Sequence, residues 1–122
     1  GELGAFCEQI GIDLLIQFGS SVENPDEAND VDVAYSVDFT RPKESRPSLI
    51  DVAAELTNRY GEGIDVMNLN SASIVARHEA LSKGTPLIDL TRSKFAEMQM
   101  MAAREYINNR YRRDFELKSL TA

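Results

Sequence analysis

The sequence predicts an α/β fold, in which a small mixed β-sheet has helices packed mainly on one face. Short apolar or alternating runs at residues 14–18, 30–37 and 64–69 have the length and period of β-strands. Between the second and third runs, residues 48–60 carry apolar side chains at helical spacing. A strand, a helix and another strand in this order form a crossover unit, so the last two strands should lie together.

The first elements of the chain are a helix and a strand. Residues 1–9 predict a short helix that Gly11 ends, and residues 14–18 predict a buried strand that stops at Gly19. The turn after this strand needs the conformational freedom of glycine. Residues 20–29 form an acidic link to the next strand.

The crossover helix has a clear beginning and end. Ser48 and Asp51 have the spacing of a capping box, in which each side chain accepts a hydrogen bond from the backbone of the other residue. Gly61 ends the helical run, and residues 64–69 follow as a strand with Asp65 near its start.

The remaining elements are two helices and a strand. We expect a helix that begins at Ser71 or Ser73 and ends at Gly84, then a short edge strand at residues 86–90. Residues 92–113 are free of Gly and Pro and predict the longest helix of the chain.

This last helix has two apolar stripes on different sides. One consists of Phe95, Met98, Ala102 and Tyr106, and the other of Met100, Ala103, Ile107 and Tyr111. A small domain needs only one stripe for its core. The second stripe therefore either binds a partner or is covered by a loop or by the first helix.

Length and charge limit the classes of function. We expect residues 1–122 to form a single domain. The net charge is −7, with +3 in residues 91–122 and −10 in residues 1–90. So acidic a surface repels nucleic acid, which argues against processive work on DNA or RNA. No apolar run is long enough to span a membrane, and residues 1–10 lack the basic start and apolar core of a signal peptide. The single cysteine, Cys7, predicts a structural thiol and suits a reducing compartment. We therefore expect a cytoplasmic protein.

The central feature of the sequence is a set of three aspartates. Asp30 and Asp32 alternate with apolar residues, so both lie on the same side of their strand. No Lys or Arg lies between Gly19 and Thr40 to neutralise them, and an all-oxygen site suits Mg²⁺ or Mn²⁺. On these two residues alone, a solvated strand face is the simpler interpretation. Asp65 on a neighbouring strand favours a metal site instead.

Gly19-Ser20, then Asp30-Val31-Asp32, then Asp65 on its own strand together resemble the signature of the polymerase β-like nucleotidyltransferases. The size and layout are similar to the minimal nucleotidyltransferase (MNT) branch, which includes antitoxin partners of HEPN-type toxins. The resemblance implies that Asp30, Asp32 and Asp65 are catalytic and bind Mg²⁺ or Mn²⁺, with Asp65 also assisting the attacking hydroxyl. It implies that Gly19 and Ser20 bind the triphosphate of the substrate, ATP, and that AMP passes to an acceptor hydroxyl, a tyrosine of a HEPN-type toxin.

Two other functions remain open. Many relatives have a basic residue soon after the Gly-Ser pair, whereas here Ser21, Val22 and Glu23 follow. That difference favours a non-catalytic module that keeps the fold and binds a partner protein. The other alternative is a nucleotidyltransferase that modifies a small molecule such as an aminoglycoside. A homo-oligomer is also compatible with the sequence.

Several other residues have two interpretations each. The basic loop at residues 39–47 is either solvated or reaches over a nucleotide or an acidic partner. Arg77 and Lys83 either contact phosphate or are solvated or paired with an acid, and we favour solvation or pairing over phosphate. For His78 we favour a hydrogen-bonded structural role over metal or base chemistry, and for Ser20 a helix N-cap is an alternative to phosphate binding.

Overall fold

The chain forms a four-stranded sheet with helices on both sides in a computed structural model that describes residues 1–24, 26 and 30–121. The helices and strands, in chain order, are α1 (Glu2–Ile10), β1 (Ile12–Phe18), α2 (Ser20–Glu23), β2 (Val31–Val37), α3 (Leu49–Tyr60), β3 (Ile64–Asn68), α4 (Ile74–Lys83), β4 (Thr85–Asp89) and α5 (Lys94–Thr121). A short 3₁₀ turn, Lys43–Ser45, lies between β2 and α3.

The sheet is mixed, as the sequence predicts. The strand order is β3-β2-β1-β4. Strand β1 is antiparallel to both β2 and β4, and β3 is parallel to β2 through the crossover helix α3. The α/β fold class is confirmed, and β4 is an edge strand as expected.

The helices do not pack mainly on one face, however, and this part of the prediction is wrong. On one face, α1 and α3 cover a core that includes Val33, Tyr35 and Val37 of β2. On the other face, α4 and α5 cover Leu14 and Ile16 of β1. The central strands carry apolar side chains on both faces of the sheet, so each face requires its own layer of helices to bury them.

The ends of the helices follow the sequence signals closely. Ser48 and Asp51 form the capping box of α3, and Gly11 ends α1 in the left-handed conformation, with φ of 96°. Of the two predicted starts of α4, Ser73 is the N-cap in the structure, and its side chain accepts a hydrogen bond from the Ala76 N–H. Gly84 follows α4 in an extended conformation. A Cβ there would clash with the Ala80 carbonyl oxygen, so this glycine allows a close approach.

A buried ion pair fixes the start of α5 against the sheet. Strand β1 begins before its predicted start, with an irregular register next to Asp13. Lys94 Nζ lies 3.1 Å from Asp13 Oδ2, and both side chains are largely buried. Burial raises the pKa of Asp13, while the hydrogen bond from Lys94 lowers it. Asp89 accepts a hydrogen bond from the Phe95 N–H at 2.9 Å, which fixes the first turn of α5.

Helix α5 is longer than predicted and only its first half is packed. Phe95, Met98 and Ala102 lie against the core, which confirms the first stripe. Most of the second stripe is exposed: Met100 is 66% exposed and Tyr111 is 72% exposed, while Ala103 is half-buried. Neither a loop nor α1 covers this second stripe in the described part of the chain. Its role as a partner-binding surface stays a prediction.

Within the ranges that the structure describes, no helix has the length and apolar character needed to cross a membrane.

The Cys7 thiol is fully buried in the core beneath α1, in agreement with the predicted structural role. Burial raises its pKa from 9.0 to about 11, which lowers the thiolate fraction at pH 8 by about a hundredfold. We expect Ellman's reagent to react with Cys7 at pH 8 only after urea unfolds the chain. Equal reaction rates in the folded and unfolded chain would show that the thiol is accessible.

Candidate active site

Two strand registers bring the predicted site residues to one end of the sheet. The last residue of β1, Phe18, pairs with Asp32 near the start of β2. Asp32 in turn lies directly beside Asp65 on the parallel strand β3. Asp30 occupies the bend immediately before β2. This site end of the sheet therefore holds the three aspartates and the turn that follows β1.

Asp32 and Asp65 also point to the same side of the sheet. Alternation places Asp32 with Ala34, and Asp65 with Met67, on the face that α4 and α5 cover farther along the strands. Neighbouring strands lie about 4.8 Å apart, so the two carboxylates are close neighbours. Asp32 is partly buried, whereas Asp30 and Asp65 are exposed. The carboxylates are thus accessible to a ligand from solvent.

The three carboxylates of this site carry like charges, and no ion pair of the described residues neutralises them. Desolvation raises the pKa of Asp32, and the charges of Asp65 and then Asp30 raise it further. The ion pairs of the described residues involve other carboxylates: Asp13, Asp38, Glu79 and Glu105. Carboxylate oxygens without a protein cation are the donor set that a hard divalent cation prefers.

The aspartates do not, however, form a finished metal cage. Among residues 1–24, 26 and 30–121, no group of three or more His, Cys, Asp or Glu side chains has the arrangement needed to hold a metal ion. The chemistry of the three residues fits Mg²⁺ or Mn²⁺, and repulsion among them disfavours convergence without one. Binding would have to draw the side chains together.

Gly19 is required where it stands. Its φ of 78° and ψ of −159° lie in a backbone region that is almost restricted to glycine. A Cβ at this position would overlap Asp32 Oδ2. The Gly19 backbone thus lies directly against the Asp32 carboxylate, which places the turn after β1 in contact with the aspartates.

The neighbouring serines differ from each other. Gly19 is the N-cap of α2, no side chain caps this short helix, and Ser20 is exposed as its first residue. The N-cap interpretation of Ser20 is therefore wrong, because the cap falls one residue earlier. Ser21 is buried and accepts a hydrogen bond from Gln17 Nε2 at 3.0 Å, which ties α2 to β1. Of the acidic link, Pro25 and residues 27–29 lie outside the described residues.

The basic loop at residues 39–47 lies at the opposite end of the sheet. Six residues of extended chain separate Asp32 from Asp38, a distance of about 20 Å. Arg41 donates hydrogen bonds to the Glu8 and Gln9 carbonyl oxygens at the end of α1. Arg46 donates to the carbonyl oxygens of Phe39 and Arg41. The hypothesis that this loop reaches over a nucleotide is wrong for this arrangement, because these bonds hold it at the far end.

The other polar candidates have structural partners. Arg77 donates to the Leu69 and Ala72 carbonyl oxygens at 2.8 Å and to Glu105 at 2.7 Å. Lys83 Nζ lies 2.8 Å from Glu79 Oε1, so the predicted pairing with acids holds for both. His78 stacks on the Tyr106 ring with centroids 4.1 Å apart, an aromatic contact that the expected hydrogen-bonded role did not foresee.

Comparison with known proteins places the chain in a family. The family model described as "Polymerase beta, Nucleotidyltransferase" matches residues 3–93, three quarters of the chain. No curated protein matches the sequence.

Solved structures share the fold at low sequence identity. A chain in a toxin–antitoxin structure with AMP-PNP is 20% identical, with a TM-score of 0.73 over 99% of this chain and 96% of the other. A chain in the complex of tri-AMPylated Shewanella oneidensis HEPN toxin with MNT antitoxin is 18% identical, with a TM-score of 0.63 over 92% and 85%. A chain in the toxin–antitoxin MntA-HepT is 17% identical, with a TM-score of 0.65 over the full length of both chains. At these identities, the likeness establishes the fold.

The contact between Gly19 and Asp32 predicts a selective effect of Gly19→Ala. The added methyl group must displace the Asp32 carboxylate and also strain the backbone, at a cost of about 1 to 3 kcal/mol in the free energy of unfolding. We expect this variant to lose stabilisation by Mg²⁺ and ATP in thermal unfolding.

The matched control is Gly61→Ala. Gly61 has φ of 90° and ψ of −179°, and a Cβ there meets no atom within 4 Å. This variant carries similar backbone strain and should retain the response to Mg²⁺ and ATP. Loss of the response in both variants would show that contact with Asp32 is irrelevant.

The raised pKa of Asp32 predicts how stability depends on pH. The folded chain holds the Asp32 proton more tightly than the unfolded chain, so protonation favours folding. This advantage is lost as pH rises from the unfolded-state pKa through the folded-state pKa. We therefore expect Asp32→Asn to be more stable than the wild type at pH 7, with the difference disappearing near pH 3. Urea titrations without divalent cations, at both pH values, measure this difference.

Asp38→Asn is a control of opposite sign. Hydrogen bonds from Thr40 lower the pKa of Asp38, so its ionised form stabilises the folded chain above the unfolded-state pKa. The Asp38→Asn variant should be less stable than the wild type at pH 7, and this loss should shrink on acidification. If both substitutions destabilise the chain equally at pH 7, Asp32 is not under like-charge repulsion.

Proposed function

The chain belongs to the polymerase beta nucleotidyltransferase family, and on that basis we propose that it transfers AMP from ATP to a protein hydroxyl. The observation that carries this proposal is the pair of neighbouring carboxylates on β2 and β3, placed against the Gly19 turn. An uncompensated pair of this kind is disfavoured in a folded chain unless a cation and its ligand use it.

We assign each site residue a role in this reaction. Asp30, Asp32 and Asp65 would hold Mg²⁺ or Mn²⁺, which when bound supplies positive charge to the entering and leaving oxygens. The Gly19 backbone and the exposed Ser20 hydroxyl would bind the triphosphate. Their position beside Asp32 would set the orientation of the α-phosphate, and such orientation contributes as much to the rate as charge does.

The transfer itself is a displacement at phosphorus. The acceptor hydroxyl oxygen forms a bond to the α-phosphorus, and the bond from that phosphorus to the oxygen that bridges to the β-phosphate breaks. Pyrophosphate leaves with that electron pair. Asp65 is exposed on the same face as Asp32, and we propose that it accepts the hydroxyl proton.

For the acceptor we propose a tyrosine of a HEPN-type toxin, which would make this chain an antitoxin. Similar chains occur in toxin–antitoxin structures, one with AMP-PNP and one with a tri-AMPylated HEPN toxin. We place the reaction in the cytoplasm, where ATP is available and where a chain with one buried thiol needs no disulfide.

The non-catalytic alternative has two observations in its favour. The described residues include no ready three-ligand group for a metal, and Glu23 lies in α2 directly after the Gly19 turn. A partner-binding module with this arrangement would neither bind nor use nucleotide. Calorimetry with ATP and Mg²⁺ separates the two: absence of heat and of metal-dependent stabilisation would favour the binding module.

We expect Asp32→Asn to lose transfer by about a hundredfold or more, since it removes charge from the reacting site while relieving repulsion in the folded chain. The measurement is transfer of label from [α-³²P]ATP to the co-purified partner in the presence of Mg²⁺. Mass spectrometry of the labelled partner then identifies the modified residue.

Asp38→Asn is the control for this assay as well, because it removes the same charge from the opposite end of β2. It should retain transfer. Full labelling with Asp32→Asn would refute the proposed mechanism, and labelling of an aminoglycoside in place of the partner would favour the small-molecule alternative.

A further inference from the structure

The sequence has no Lys or Arg close to Gly19, which lies at the site end of the sheet. A nucleoside triphosphate carries several negative charges, and Glu23 of α2 adds another beside it. A metal ion neutralises only part of this charge. A phosphate tail would therefore need a basic side chain from elsewhere in the fold.

The end of α4 brings Lys83 to this region. Thr85, the first residue of β4, pairs with Gln17 at the end of β1. A Cβ on Gly84 would lie 3.1 Å from the Gln17 carbonyl oxygen, so the backbone next to Lys83 packs against β1 one residue before Phe18. The side chain of Gln17 donates to Ser21 of α2. The backbone at the end of α4, β1 and α2 are thus joined by direct packing and pairing.

Lys83 is exposed and is held by an exchangeable partner. Its Nζ lies 2.8 Å from Glu79 Oε1 one turn back on α4, and both side chains are more than half exposed. The hydrogen bond and charge of Glu79 raise the pKa of Lys83, and the charge of Glu23 in α2 adds to this rise. An exposed pair of this kind is weak, so a phosphate can replace Glu79 at little cost.

Several other cations of the described residues have partners elsewhere in the fold. Arg59 lies over the Phe6 ring on the opposite face of the sheet. Arg41 and Arg46 are held in the far loop, Arg77 pairs with Glu105, and Lys94 pairs with Asp13. On α5, Arg112 donates a hydrogen bond to Asn109.

We propose that Lys83 binds the terminal phosphates of the nucleoside triphosphate, exchanging its contact with Glu79 for a phosphate oxygen. This proposal rests on the proposed function and adds a residue that determines specificity for triphosphate over monophosphate. The nucleotide then lies with its α-phosphate at the aspartates and its tail across the Gly19 turn toward the end of α4. Glu79 keeps the lysine extended and oriented when no nucleotide is bound.

The test compares binding of ATP and AMP to the full chain by calorimetry in the presence of Mg²⁺. We expect Lys83→Ala to weaken ATP binding by about tenfold and leave AMP binding unchanged, because only ATP reaches Lys83. Lys83→Arg should restore ATP binding. Glu79→Gln should strengthen it, because the competing carboxylate is removed. A rise in KM for ATP with little change in kcat should accompany Lys83→Ala in the transfer assay.

Lys43→Ala is the matched control, since Lys43 is an exposed lysine in the 3₁₀ turn beyond the far end of the sheet. It should bind ATP as the wild type does. Equal weakening of ATP and AMP by Lys83→Ala, no weakening of either, or the same effect from Lys43→Ala would each overturn the role of Lys83. If the wild type binds ATP and transfers AMP in those cases, the proposed function stands; if it binds no nucleotide, both proposals fail.

Discussion

Repulsion between the carboxylates of Asp32 and Asp65 is the constraint around which the site end is arranged. Parallel pairing of β2 with β3 fixes them as neighbours, and the Gly19 backbone packs against Asp32 from the other side. Asp32 therefore cannot move away from Asp65 without disturbing the turn after β1. The rigid sheet holds these charges near each other at the expense of stability, which is the usual signature of a site shaped for a ligand.

The two helical layers explain how so small a sheet can hold this arrangement. Helices α1 and α3 bury one face, and α4 with the first half of α5 buries the other. Both layers leave the site end of the strands accessible, so Asp30 and Asp65 are exposed. At the far end, the Asp13–Lys94 pair and the loop arginines join α5 and α1 to the sheet. The fold thus concentrates its stabilising polar contacts away from the aspartates.

Charge also explains why a nucleotide site here would draw on distant parts of the sequence. The segment after Gly19 is acidic, and the next arginines along the chain, Arg41 and Arg46, are held by hydrogen bonds at the other end of β2. Pairing of β4 with β1 brings the end of α4, with Lys83, to the opposite side of the Gly19 turn. In this arrangement the carboxylates lie on one side of the Gly19 turn and the end of α4, with Lys83, on the other. A metal-bound triphosphate suits this arrangement, with the metal at the carboxylates and the phosphate tail toward the lysine.

The sequence by itself determined the α/β class, the strands, the capping box of α3 and the aspartates as the central feature, because these depend on local period and residue type. It also determined that Asp32 and Asp65 would meet, since a crossover connection places successive parallel strands side by side. Only the tertiary structure decided that helices cover both faces, that Gly19 touches Asp32, that the basic loop lies at the far end and that the end of α4 packs against the end of β1. Each of these depends on strand order and on contacts between residues far apart in the chain, which residue spacing along the sequence does not encode.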